Sequence, residues 1–159
     1  MTDKTKEPKK VYLISIGAAL AAGVISALVS MGKMEEYAAL RQPPLAPPGW
    51  LFPVVWTILF VLMGVSAARV YLNSPDNWPN ALTVYAIQLA MNMLWTPLFF
   101  ALDLRLAAFV LLVLLLITVI IMTVQFYSID KKAAYLQIPY IVWLVFAGYL
   151  NLAVYLLNG

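Results

Sequence analysis

Three short runs of the chain carry the side chains that could handle a ligand. In residues 80–102, Gln88, Asn92, Trp95 and Phe99 recur every third or fourth position. That spacing puts two amides and two aromatic rings on one face of a helix. In residues 52–72, Trp56 and Phe60 lie one turn apart, on a face shared with Leu59, Met63 and Ala67. In residues 133–157, Tyr140, Trp143, Ala147 and Leu150 fall on one stripe with Pro139 and Val154, and Asn151 lies at its edge. Aromatic faces stack on flat molecules, and a few N–H or carbonyl groups orient them. A membrane tryptophan at a span end ordinarily anchors at the interface, a reading that fits Trp50 and Trp78. Trp143 differs, because it lies about ten residues into its span, near mid-bilayer, where its N–H needs a partner. Gln88 and Asn92 are costly against lipid, so they either tie helices together or face an interior space. Taken together, three tryptophans and two amides that can converge point to a flat, aromatic-lined pocket with few donors.

The residue types that are missing narrow the chemistry. The 159 residues include no Cys and no His. That excludes disulfides, thiol nucleophiles, Cys/His metal sites and the usual haem axial ligands, and it removes the commonest general base. No metal site and no catalytic residue is expected, and no cofactor is required. Hydrophobic residues make up 64% of the chain and charged ones only 11%, with a mean hydropathy of +0.90. A soluble domain is about half apolar and a quarter charged, so the chain is an all-α integral membrane protein partnered by the lipid bilayer. The net charge of +3 comes from flanking lysines rather than a basic face with interleaved aromatics, which argues against nucleic acid.

The elements that must hold the three runs follow from hydropathy. Residues 1–10 form a charged tail, expected to be disordered, and 11–159 form one transmembrane domain. The spans fall at about 11–31, 52–72, 80–102, 106–127 and 133–157, each long enough to cross a ~30 Å hydrocarbon core. The first apolar run exceeds the length of a signal-peptide core and is read as a span. Gly17, Ala21, Gly23 and Ala27 give it small residues at four-residue spacing, suited to close helix contact. The fourth span is the most uniformly apolar and is expected to be the most exposed to lipid. Between the first two spans runs a proline-rich segment in which Pro43, Pro44, Pro47 and Pro48 forbid helix. It is too apolar for a floppy linker, and residues 41–50, with Arg41 and Trp50 at its ends, read as a lid over the mouth of the bundle. In span three, Ala86 and Ala90 lie opposite the amide stripe and offer a close-packing face for a second copy. The Lys and Arg bias favours a cytoplasmic N-terminus, with the proline segment and C-terminus on the far side.

The loop run PPLAPPGWLFPVVWTILF, followed by AIQLAMNMLWTPLFF and IPYIVWLVFAGYLN, closely resembles the translocator protein family, also called tryptophan-rich sensory proteins or TspO/MBR. Three blocks in the same order cover the chain from about Tyr37 to its end. The resemblance implies a five-helix bundle, commonly dimeric, that binds porphyrin or haem-like tetrapyrroles and other aromatic small molecules. It further implies that Trp56 and Asn92 are the polar contacts to a ligand carbonyl or carboxylate. Trp143 and Ala147 are implied as the opposing wall, with Leu150 below and residues 41–48 as lid. The chain departs from the family pattern in the loop, where Glu36 and Leu45 stand at positions usually held by tryptophan. The cholesterol motif of animal members lacks its basic residue after Tyr155.

The leading function is therefore tetrapyrrole binding in handling, transport or stress signalling. A translocator without ion coupling and a light-dependent porphyrin-degrading enzyme are the alternatives. No acidic residue falls inside a span, which argues against ion coupling. The two loop substitutions argue against tryptophan-mediated degradation.

Overall fold

The computed structural model describes residues 7–73 and 78–159, except the side chains of Trp78 and Pro79. Among the described residues all regular structure is helical: α1 (Pro8–Ser30), α2 (Met34–Ala39), α3 (Leu51–Asn73), α4 (Trp78–Thr96), α5 (Arg105–Ile129), α6 (Lys131–Tyr135) and α7 (Ile138–Asn158). A π-helical turn, Pro97–Ala101, extends α4. Among the described residues five segments are long and apolar enough to cross a bilayer, the fifth made of α6 and α7 together. The breaker-rich turn expected at 73–79 lies largely outside the described residues, as does the anchoring role given to Trp78.

Three boundaries differ from the sequence reading. The first helix starts at Pro8, inside the stretch assigned to the tail, because proline suits the first position of a helix, where its missing N–H goes unneeded. The fifth span is broken at Leu136 and Gln137, so Pro139 sits in the first turn of α7 rather than inside a continuous helix. The third span ends in the π turn, where Leu102 N–H reaches back to the Pro97 carbonyl at 2.9 Å.

Small residues decide how the helices meet. α1 packs on α3 and α4, α4 on α5, and α5 on α7. α1 approaches α3 most closely at Gly64, whose absent Cβ would lie 2.5 Å from the Ile16 Cα, and the Ser15 hydroxyl donates to the Gly64 carbonyl at 2.7 Å. On α1 itself the buried face is Ala19, Ala22 and Ser26. Of the small residues expected to make contact, Gly23 meets Phe60, but Gly17 has nothing near it and Ala21 is exposed.

α5 also departs from expectation. It buries Ala108, Leu112, Leu115, Val119, Met122 and Phe126 along one stripe and is a core helix. α1 and α4 bury a smaller share of their length. Uniform apolarity therefore marked a helix with both lipid and protein on its surface, since neither face needs polar atoms.

Polar contacts fix the two ends. At one end the Arg69 guanidinium pairs with Asp130 at 2.8 Å, while the second oxygen of Asp130 accepts from the Lys132 N–H at 2.9 Å and caps α6. At the other end Asn158 exchanges two bonds with the Arg41 backbone, at 2.9 and 3.0 Å, and the Tyr149 hydroxyl donates to the Pro44 carbonyl at 2.7 Å. The proline segment is thus fastened to the end of α7.

Candidate functional site

A cavity of about 460 Å³ lies among α1, α3, α4 and α7 at the end that carries the proline segment. Its walls are mostly apolar. α1 contributes Leu20, Gly23, Val24, Ser26 and Ala27, α3 contributes Phe52, Trp56 and Phe60, and α7 contributes Trp143, Ala147 and Leu150. α4 supplies Asn92, Trp95 and Thr96, and the π turn adds Phe99 and Phe100. Val24, Ala27, Pro53 and Thr57 line the cavity and are also exposed, so its wall stands open towards lipid between α1 and α3.

The rings form a connected set. Trp56 meets Phe60 at 5.7 Å and Trp143 edge-on at 6.4 Å between centroids. Trp95 stacks on Phe99 at 5.2 Å with their planes 18° apart. Tyr37 of α2 closes the circuit, 6.2 Å from Phe52, 5.8 Å from Phe99 and 5.6 Å from Phe100. Such edge-to-face and offset pairs hold each ring in place beyond the effect of burial alone. Burial pushes the Tyr37 hydroxyl above its ordinary pKa.

Behind the wall lies a polar relay. Asn92 donates through Nδ2 to the Tyr140 hydroxyl at 2.7 Å, and that hydroxyl donates to Gln88 Oε1 at 2.9 Å. Gln88, Asn92 and Tyr140 are all buried, so the relay satisfies groups that could not otherwise sit in a bilayer. Trp95 donates its indole N–H to Asn151 Oδ1 at 3.0 Å, and Asn151 in turn holds the Arg105 backbone carbonyl at 2.9 Å.

Two of the buried polar atoms without a partner belong to residues of the cavity wall. Among the described residues the Trp143 indole N–H and the Ser26 hydroxyl are buried without a partner, and both residues line the cavity. Asn92 has one of its two amide hydrogens on Tyr140, and its carbonyl oxygen accepts no bond among the described residues. The arrangement can therefore stack a flat ring system and bond to it at the Asn92 amide, while the Trp143 N–H and Ser26 hydroxyl, enclosed in the wall, reach it only after a side-chain turn. Tyr140 takes one of the two Asn92 amide hydrogens, which leaves the second hydrogen and the carbonyl oxygen for a ligand.

Of the residues singled out in the sequence, the structure brings Trp56, Phe60, Asn92, Trp95, Trp143, Ala147 and Leu150 together around this space. Tyr140 is not in the lining. It stands behind Asn92, 1% exposed, and acts on the cavity through its hydroxyl. None of Arg41, Pro43, Pro44, Pro47, Pro48 or Trp50 lines the cavity, and Trp50 is 67% exposed. The loop reaches the cavity through Met34 and Tyr37 of α2 and through Gly49. Ala86 and Ala90 are exposed on the outer face of α4. Tyr37, Phe52, Phe100 and Ser26 were not singled out as site residues. Phe52 lies one turn before Trp56 on the same face, a signal that could have found it. Phe100 could not be found that way, since neighbours in an α-helix diverge by 100° and Phe100 lies off the stripe that carries Phe99.

Comparison with known proteins gives a consistent result. The sequence model of the TspO/MBR family matches residues 15–157. The chain is 38% identical over 149 residues to Protein CrtK of Rhodobacter capsulatus, covering 92% of each chain. It is 38% identical over 148 residues to the tryptophan-rich protein TspO of Chlorobaculum tepidum, covering 91% of this chain and 94% of that one. To the translocator protein of Bos taurus it is 34% identical over 133 residues, covering 81% and 79%.

Proposed function

This chain belongs to the TspO/MBR family of multi-pass membrane proteins, and from that premise we propose that it is a membrane-embedded binding protein for tetrapyrroles and similar flat aromatic ligands. One observation carries the reading. A ring-lined cavity of about 460 Å³ is walled by Trp143 and Ser26, whose indole N–H and hydroxyl have no partner among the described residues, and by the amide of Asn92. Its size is that of small-molecule sites, and its chemistry suits a planar macrocycle with N–H groups near its centre and apolar faces. With neither His nor Cys in the chain, a haem is held by its macrocycle edges, or by Tyr or Met at most. The opening between α1 and α3 suits ligands that partition into the bilayer.

Titration of the purified protein with protoporphyrin, following tryptophan fluorescence and pigment absorbance together, tests this. Saturable quenching with intact pigment is expected. Absence of saturable quenching sinks the proposal, and bleaching under light assigns degradation instead. Trp143→Phe removes the buried donor and part of the wall, and Asn92→Leu removes the amide. Each is expected to weaken binding by roughly five- to fifty-fold, the equivalent of about 1–2 kcal/mol for a lost indole contact or hydrogen bond. Unchanged affinity in both variants moves the site elsewhere.

Assembly and orientation belong to the same proposal. Ala86 and Ala90, exposed on α4 away from the cavity, are the face through which two copies associate, since small residues allow close backbone approach in lipid. Replacing both by Leu is expected to give monomers in detergent, read by light scattering, that retain ligand. A variant that stays dimeric counts against the face. The N-terminus faces the cytoplasm, a reading supported by Lys9, Lys10, Arg69, Lys131 and Lys132 at one end of the bundle against Lys33, Arg41 and Arg105 at the other.

A further inference from the structure

Beside the cavity lies a smaller cleft of about 150 Å³ with four charged side chains, Lys33, Glu36, Asp103 and Arg105. It shares Tyr37, Phe99 and Phe100 with the cavity, so the two spaces meet along one aromatic edge. The charges are unequally placed. The Asp103 and Glu36 side chains are 59% and 62% exposed, whereas the Arg105 side chain, at the start of α5, is only 14% exposed. Arg105 pairs with Asp103 through one terminal nitrogen at 3.0 Å, yet its Nε is buried with no partner among the described residues. A guanidinium presents Nε and a terminal nitrogen as a two-pronged edge that fits a carboxylate. Here that edge is half used, and its present partner stands mostly in water. An ion pair of this exposure contributes little, so exchanging one carboxylate for another costs little.

We infer that this cleft is an anion subsite, in which Arg105, assisted by Lys33 as it exchanges its exposed partner Glu36 at 3.2 Å, takes a carboxylate arm of the ring system held in the cavity. The inference rests on the tetrapyrrole reading of the cavity and narrows it to ligands that carry short acidic arms at one edge. The incoming carboxylate displaces Asp103 into solvent and occupies both prongs of Arg105. The flat body stays among the rings, and the arm crosses the edge formed by Tyr37, Phe99 and Phe100.

Comparing protoporphyrin with its dimethyl ester tests the subsite, because the two share a ring and differ only in their arms. In the native protein the diacid is expected to bind about ten-fold more tightly than the ester, by tryptophan quenching. Arg105→Gln should bring the diacid down to the affinity of the ester and leave the ester unchanged, since the backbone bond from Asn151 to residue 105 remains. Asp103→Asn removes the competing carboxylate and should tighten the diacid about three-fold, with no effect on the ester. Asparagine tolerates the positive φ of 52° at that position, so this variant decides the matter even if Arg105→Gln does not fold. Equal affinities for diacid and ester in the native protein overturn the subsite while leaving the cavity intact. An equal loss of both ligands in Arg105→Gln, or no gain in Asp103→Asn, also overturns it. If the native protein binds neither ligand, the reading of the cavity itself fails, and the subsite with it.

Discussion

Gly64→Ala is expected to lower the thermal midpoint of the protein more than any single change inside the cavity. The added Cβ would stand 2.5 Å from the Ile16 Cα and 2.9 Å from its nitrogen, both backbone atoms that cannot swing aside. α1 and α3 must therefore move apart, which strains the bond from the Ser15 hydroxyl to the Gly64 carbonyl and opens the packing around Ala19 and Met63. Alanine gains about 1 kcal/mol of helix propensity over glycine, but overpacking against backbone costs about 1–3 kcal/mol and sometimes more. Because the clash is with backbone, the cost falls at the upper end of that range, and a net loss of up to about 2 kcal/mol is expected. Gly148→Ala provides the control, because its Cβ would meet only the Leu112 Cδ2 at an ordinary 3.9 Å. That variant should be neutral or slightly more stable. Thermal unfolding in one detergent at one scan rate compares them, since membrane proteins unfold irreversibly. Equal midpoints for the two variants would falsify the claim that Gly64 sets the spacing of α1 and α3.

The cavity was legible in the sequence where a helical period carried polar or aromatic side chains. Gln88, Asn92, Trp95 and Phe99 share a face of α4 because their spacing follows 3.6 residues per turn, and Trp56 with Phe60 and Trp143 with Ala147 follow the same rule. α1 gave no such mark. Its share of the wall is Leu20, Gly23, Val24, Ser26 and Ala27, small and apolar residues that any membrane helix could show. Tyr140 read as wall because it lies on the right face, yet one turn of depth puts its hydroxyl on Asn92 and Gln88. The proline segment read as a lid because its composition forbids helix and resists solvent. Where it attaches depends on Asn158 and Tyr149, more than a hundred residues away in sequence, which no local pattern reveals. The Arg69–Asp130 pair was hidden for the same reason.

Tyr140→Phe is expected to damage both stability and binding, although it removes a single oxygen that never touches the cavity. That oxygen accepts from Asn92 at 2.7 Å and donates to Gln88 at 2.9 Å. Without it a buried amide carbonyl and a buried amide N–H lose their partners together, and each unpaired group costs about 1–3 kcal/mol in a protein interior. Measured hydrogen bonds between membrane helices are weaker, about 0.6 kcal/mol on average, because the unfolded chain in lipid finds other partners. A loss of about 1–3 kcal/mol in total reconciles the two. Affinity should fall as well, by roughly three- to ten-fold, since Asn92 then loses the bond that fixes how its amide faces the cavity. Adding Gln88→Leu separates the two effects. It removes the stranded carbonyl, so Tyr140→Phe with Gln88→Leu should recover much of the lost stability, whereas binding should not return while Asn92 lacks its anchor. Thermal unfolding and protoporphyrin titration read the two quantities independently. Purely additive losses in stability would show that Gln88 and Tyr140 do not act as a unit. Recovery of affinity together with stability would show that Asn92 needs no anchor and that the relay serves only the fold.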